Sequence, residues 1–121
     1  MARRQIRRGD DWDGVLTFRD HPELNLATVQ QIWLTFRWKP AKPGVDVDDS
    51  NAIVQITMTG GGITVVDIPN RIANARLTPA QTRLFTKKDD AYYDVQVLTA
   101  EGKKKTTEDG TIPILGEVTL S

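Results

Sequence analysis

Between residues 29 and 39 the chain alternates strictly. Ile32, Leu34, Phe36 and Trp38 fall on one side, and Gln31, Trp33, Thr35, Arg37 and Lys39 on the other. A period of two is that of a β-strand, and it predicts the first set as a buried face. Shorter segments of the same kind occupy 14–19, 52–59, 63–68 and 71–77, and residues 2–8 form a strand or an extended arm with Ile6 as the one large apolar residue. From Ala91 the pattern resumes, with Tyr93, Val95 and Val97 on one face and Tyr92, Asp94, Gln96 and Leu98 on the other.

The breaks between these runs carry turn chemistry. His21-Pro22 interrupts the first, because a residue before proline is pushed out of helical space. Gly60-Gly61-Gly62 reads as a turn, since glycine accepts positive φ without steric cost. Glu101-Gly102 and Asp109-Gly110 predict two further turns that would make the end of the chain a β-meander, with a last strand at Thr111-Ile112-Pro113-Ile114. One helix is expected over 79–85. Thr78 can cap it, Pro79 suits the first helical position, and Gln81 completes a capping box. Short strands, frequent turns and a single helical turn predict a β-sandwich.

Length and composition narrow the class. A chain of 121 residues suits one domain and can bury a core without covalent staples. The absence of cysteine removes a disulfide framework and thiolate metal sites. Formal net charge is zero, which argues against a chain built to seek polyanions. No apolar stretch approaches the roughly 20 residues that span a bilayer, and no apolar segment follows the basic N-terminus as a secretory signal requires. No membrane partner is expected.

Candidate chemistry is sparse. His21 is the one histidine, and the serines are Ser50 and Ser121, neither in a Gly-x-Ser-x-Gly context. A Ser/His/Asp triad and a transition-metal site are therefore not expected. The acidic loop Asp46-Val47-Asp48-Asp49-Ser50-Asn51 offers oxygens for calcium, but Asn51 and Thr57 stand where an EF-hand needs glycine and glutamate. Gly60-Gly61-Gly62 lacks the Lys-Ser/Thr of a phosphate loop. No catalytic residue, cofactor or metal is expected.

Two features point to contact with other molecules. Arg3, Arg4, Arg7 and Arg8 crowd the first eight residues, followed at once by Asp10, Asp11 and Asp13. Arginines so placed suit a subunit-contact arm better than nucleic acid, because the basic run is short and the acids follow it. Trp12 and Trp33 fall where the predicted faces are outward or near an edge, and aromatics with arginine are enriched at protein interfaces. The other reading of Trp33 is the core, reached by a one-residue register slip.

The order of motifs resembles a family. A Val15-Leu16-Thr17-Phe18 strand is followed by Phe36-Arg37-Trp38-Lys39, the acidic loop, the glycine-rich turn, Leu77-Thr78-Pro79-Ala80-Gln81-Thr82, Tyr92-Tyr93-Asp94-Val95-Gln96-Val97 and Asp109-Gly110-Thr111-Ile112. Over roughly residues 12–119 this resembles the N-terminal immunoglobulin-like domain of tailed-phage baseplate upper proteins and small stand-alone phage tail proteins of similar pattern. The resemblance implies an antiparallel immunoglobulin-like β-sandwich of about seven or eight strands with one short helix, over residues 12–121, preceded by a basic arm or edge strand at 1–11. It implies a structural virion component of the tail region, made in the host cytoplasm. Its expected partners are other tail or baseplate proteins and copies of itself in a symmetric ring or attachment. The alternative is a module binding host-surface glycans through Trp33 or Tyr92 beside Asp94.

Overall fold

The computed structural model describes residues 5–38, 52–86 and 89–116. Among them are eight strands in two sheets and one short helix. The strands are β1 (Ile6–Arg7), β2 (Trp12–Thr17), β3 (Gln31–Trp38), β4 (Ala52–Thr57), β5 (Ile63–Asp67), β6 (Ile72–Leu77), β7 (Asp90–Leu98) and β8 (Lys104–Leu115), with α1 (Pro79–Thr82) between β6 and β7. The larger sheet has the order β1-β8-β7-β3-β4 and the smaller β2-β6-β5.

This is the immunoglobulin-like arrangement. β2, β6 and β5 take the places of strands B, E and D, while β3, β4, β7 and β8 take those of C, C′, F and G. All pairings are antiparallel except β1 with β8, where Ile6 lies beside Ile114 and Arg7 beside Leu115. Residues 6–7 are thus an edge strand. Ile6 is fully buried, which explains why the one large apolar residue of that segment sits there.

β3 is the centre of the larger sheet because both its neighbours match its apolar stripe. Leu34 faces Ile56 on one side and Val95 on the other, and Phe36 faces Val54 and Tyr93. Ile32, Leu34 and Phe36 are buried, as the alternation predicts. Phe36 is also the hub of an aromatic cluster. Its ring meets Trp12 edge-on at 5.8 Å and Phe85 edge-on at 5.5 Å, and Phe85 in turn meets Trp38 at 6.1 Å. Edge-to-face contact sets a positive ring edge against a negative face, so the packing gains beyond the buried area alone.

The helix brings Phe85 to that cluster. Thr78 Oγ1 accepts from the Gln81 amide, and the Gln81 side chain accepts from the Thr78 amide at 2.8 Å, which completes the capping box. Regular helix stops at Thr82, short of the expected 79–85. Beyond it the amides of Leu84 and Phe85 bond to Gln81 and Thr82, three residues back, and this tighter winding turns Phe85 inward.

The expected turn at Asp109-Gly110 does not exist. β8 is one strand of 12 residues that runs straight through it, with Asp109 opposite Asp94 and Gly110 opposite Tyr93. The glycine marks a close approach instead. A Cβ at Gly110 would lie 3.1–3.2 Å from the Tyr93 ring and hydroxyl, so the ring rests on bare backbone there. The Tyr93 hydroxyl donates to Glu108 at 2.7 Å. Gly14 serves Trp12 in the same way, since a Cβ there would come within 2.4 Å of the indole.

Candidate functional site

The described part of the arginine arm works inside the fold. Arg7 donates from Nη1 to the Gly116 carbonyl at 3.0 Å, and Arg8 reaches the Arg83 carbonyl from Nη2 at 3.5 Å. The next residues dock on the helix, where Gly9 donates its amide to Thr82 Oγ1 and that hydroxyl donates to the Asp10 carbonyl. Arg7 and Arg8 therefore tie strand β1 to the end of β8 and to the segment after α1. Arg3 and Arg4 lie outside the described residues, as does the acidic loop 46–51.

Trp12 is not at the surface. Its side chain points inward from β2 and is only 8% exposed, covered by Phe36 and seated over Gly14. Trp33 does project outward from β3, as the register predicts, and is half-buried. Lys104 of β8 covers it, with Nζ 4.9 Å from the ring centroid. Around it the outer face of the larger sheet is closed by cross-strand polar pairs. Arg37 meets Asp94 at 3.3 Å, with side chains 11% and 20% exposed, and Gln55 donates to the hydroxyl of the buried Thr35 at 2.9 Å. Tyr92 lies on this face opposite Arg37.

The outer face of the smaller sheet is different. Val15 on β2 is 48% exposed, Val66 on β5 is 53% exposed, and Ile68 just beyond β5 is 48% exposed. Asn74 lies between β2 and β5 on the same side, opposite both Val15 and Thr64, and half-buried Ile72 pairs with Thr17. Val66 follows Val65 on β5 and faces outward with Thr64 by the strand's alternation, next to an irregularity in the β5–β6 register between Val65 and Asp67. The nearby ion pair Arg76–Asp11, at 3.5 Å, is exposed on both sides and contributes little. Asp11, one of the acids after the arm, thus pairs with Arg76 of β6.

One end of the sandwich carries a cleft. The β2–β3 connection and the β7–β8 turn enclose about 490 Å³, lined among others by Glu23, Asn25, Thr28, Glu101, Lys103 and Lys105. In an immunoglobulin-like frame these are the B–C and F–G loops, which lie together at one end. Several bonds hold the connection in place. Gln30 donates to the Thr99 and Ala100 carbonyls, and Lys105 pairs with Glu23. Arg71, in the β5–β6 turn, donates to the carbonyls of Leu24 at 3.2 Å and Pro22 at 3.1 Å. Arg71 has φ of 56°, a left-handed conformation that costs a non-glycine residue free energy and is retained where surrounding bonds hold it. The Lys105 ammonium, followed by a backbone amide, holds the Glu23 carboxyl down from the ordinary 4.5 to about 2.

His21 is a turn residue, as expected, but not an idle one. Its Nδ1 is 3.3 Å from Glu23 Oε1 and its Nε2 is 3.1 Å from the Thr107 carbonyl of β8. No group of three or more His, Cys, Asp or Glu side chains suited to a metal ion occurs among the described residues. Sequence reasoning did not find Val66, Ile68, Val15 or Arg71. For Val15 the signal was present, because Leu16 and Phe18 inward require Val15 outward. For Arg71, a clamp on two backbone carbonyls leaves no mark in the sequence. No protein-family model matches the chain, and no curated protein matches it.

Proposed function

We propose that this chain is a non-catalytic assembly module that associates with a second copy of itself through the outer face of the β2-β6-β5 sheet. The observation that carries the reading is the exposure of Val15, Val66 and Ile68 on one small sheet. Branched apolar side chains left half in water on a shared surface gain free energy when a partner covers them. Among the described residues β5 ends this sheet, so a partner can approach from the face or along β5. A formal net charge of zero gives copies of the chain no overall repulsion to overcome.

The particle we assign it to is that of a tailed phage or a prophage-derived structure, as a structural virion protein of the tail tip or baseplate region. Support comes from the order of motifs along residues 12–119 and from the immunoglobulin-like strand order, which is what that resemblance implies for the fold. Labelling the protein and imaging purified particles tests the assignment. Label at a defined station of the tail is expected, and absence of the protein from purified particles would remove it.

The glycan-binding alternative has one observation in its favour. Trp33 and Tyr92 share the outer face of the larger sheet, with Asp94 on the strand between their levels. Against it, Lys104 covers the indole and Arg37 occupies the carboxylate, so both groups a sugar would use are already engaged. Binding on a glycan array that is lost in Trp33→Ala would restore this alternative.

A further inference from the structure

The outer face of the smaller sheet is ordered by charge as well as by apolar exposure. Along β2 and its two flanks, alternate residues stand on this face: Asp11, Asp13, Val15, Thr17 and Arg19. All five are exposed, whereas Trp12, Leu16 and Phe18 between them are buried. The ladder to β6 continues as far as Phe18, whose amide donates to the Arg71 carbonyl at 2.9 Å, so the alternation reaches Arg19. The strip therefore runs from acid at one end, through a valine and a threonine, to base at the other. Turned end for end, such a strip complements itself.

The other strands of the sheet add few charges. Arg76 on β6 lies opposite Asp13 and pairs with Asp11 at 3.5 Å. Asp67, at the end of β5, accepts from the amide and the side chain of Asn70. Asn74 and Thr64, which pair across the middle of the sheet, are uncharged.

Two copies can stack this face on itself about a twofold axis in either of two directions. An axis along the strands lays β6 on β6 in the same direction and sets Arg76 against Arg76. An axis across the strands lays β2 on β2 in opposite directions. Centred on Val15, it sets Val15 against Val15, Asp13 against Thr17 and Asp11 against Arg19. It also moves Arg76 over Ile72 of the other copy, which the aliphatic stem of the arginine can cover. Stacked sheets lie about 10 Å apart, a gap that an arginine side chain crosses. The second arrangement alone brings opposite charges together.

We infer that two copies of this chain stack antiparallel through the outer face of the β2-β6-β5 sheet, with Arg19 of each held against Asp11 and Asp13 of the other. This alignment rests on the self-association proposed above, and adds its direction and the residues that set it. The charges fix the alignment more than the strength. An exposed ion pair contributes little, whereas like charges brought together at an interface cost far more. In a twofold dimer every such contact occurs twice.

Charge reversal tests the alignment. One variant carries Arg19→Asp, and the other carries Asp11→Arg together with Asp13→Arg. Each should self-associate roughly tenfold or more weakly than the unsubstituted chain in sedimentation equilibrium, because like charges then meet at both ends of the strip. An equimolar mixture of the two should regain association as a mixed dimer. There the native acids of the first variant meet Arg19 of the second, and the introduced charges meet each other. A variant that failed to fold could not be rescued in this way. Variants that associate as tightly as the unsubstituted chain, or a mixture that restores nothing, would overturn the alignment and leave the face-to-face reading standing. An unsubstituted chain that stays monomeric would remove that reading, and the alignment with it.

Discussion

The two outer faces of this sandwich are built on opposite principles. On the larger sheet, strands β3, β4, β7 and β8 exchange polar contacts across the surface: Arg37 with Asp94, Gln55 with Thr35, and Lys104 over Trp33. On the smaller sheet Val15, Val66 and Ile68 stand in water among short polar residues. On the first face Arg37, Asp94, Gln55, Thr35 and Trp33 each have a partner within the chain. The second carries apolar side chains that are about half exposed. The aromatic residue that looks most like an interface in the sequence is therefore on the more self-contained face, and three modest aliphatic residues mark the more available one.

Substitutions can separate the two faces from the core they share, in decreasing order of effect. Phe36 touches both sheets through Trp12 and Phe85, so Phe36→Ala should cost about 3–5 kcal/mol and unfold both faces together in denaturant titration. Arg37→Ala leaves a largely covered Asp94 carboxylate without this partner and should cost about 2 kcal/mol, confined to the larger sheet in an exchange experiment. Lys104→Ala should cost about 0.5–1 kcal/mol and uncover the Trp33 indole, read as a red shift of tryptophan emission. Val66→Thr should change stability by less than about 0.5 kcal/mol, since its side chain is 53% exposed.

Acid gives a separate reading of the cleft. The Glu23 carboxyl is held at about 2 against an ordinary 4.5, so its pairing stabilises the fold above 4.5. That contribution is lost as pH falls from 4.5 through about 2. Amide signals of residues 21–25 should move in this window, and Glu23→Gln should remove that movement.

Much of the architecture was legible because alternation is a direct consequence of strand geometry. Most of β3 could be read: Ile32, Leu34 and Phe36 face inward and Trp33 outward, while Trp38, expected on the buried face, is half-buried and Thr35, expected outward, is buried. The capping box at Thr78 and Gln81 was equally plain, since it depends on residues three apart in sequence. Three features were not legible. Asp109-Gly110 has the composition of a turn, but the need for bare backbone under Tyr93 accounts for the glycine, and that need arises only once β7 and β8 are paired. Trp12, flanked by Asp11 and Asp13, reads as a polar-segment residue, whereas the missing Cβ at Gly14 makes room for its ring inside. Val66 follows Val65 in the segment 63–68, where apolar residues stand on both faces, so composition alone does not say which valine faces out.

The most direct test of the account is the mass of the protein in solution with and without a charge on the smaller sheet. Sedimentation equilibrium of the unsubstituted chain and of Val66→Glu, at matched concentrations, measures it. The account predicts a self-associating species for the first, with a thermal midpoint that rises with protein concentration, and a monomer of 13.5 kDa for the second, with a midpoint independent of concentration. A monomer in both cases, or an identical oligomer in both, would contradict it.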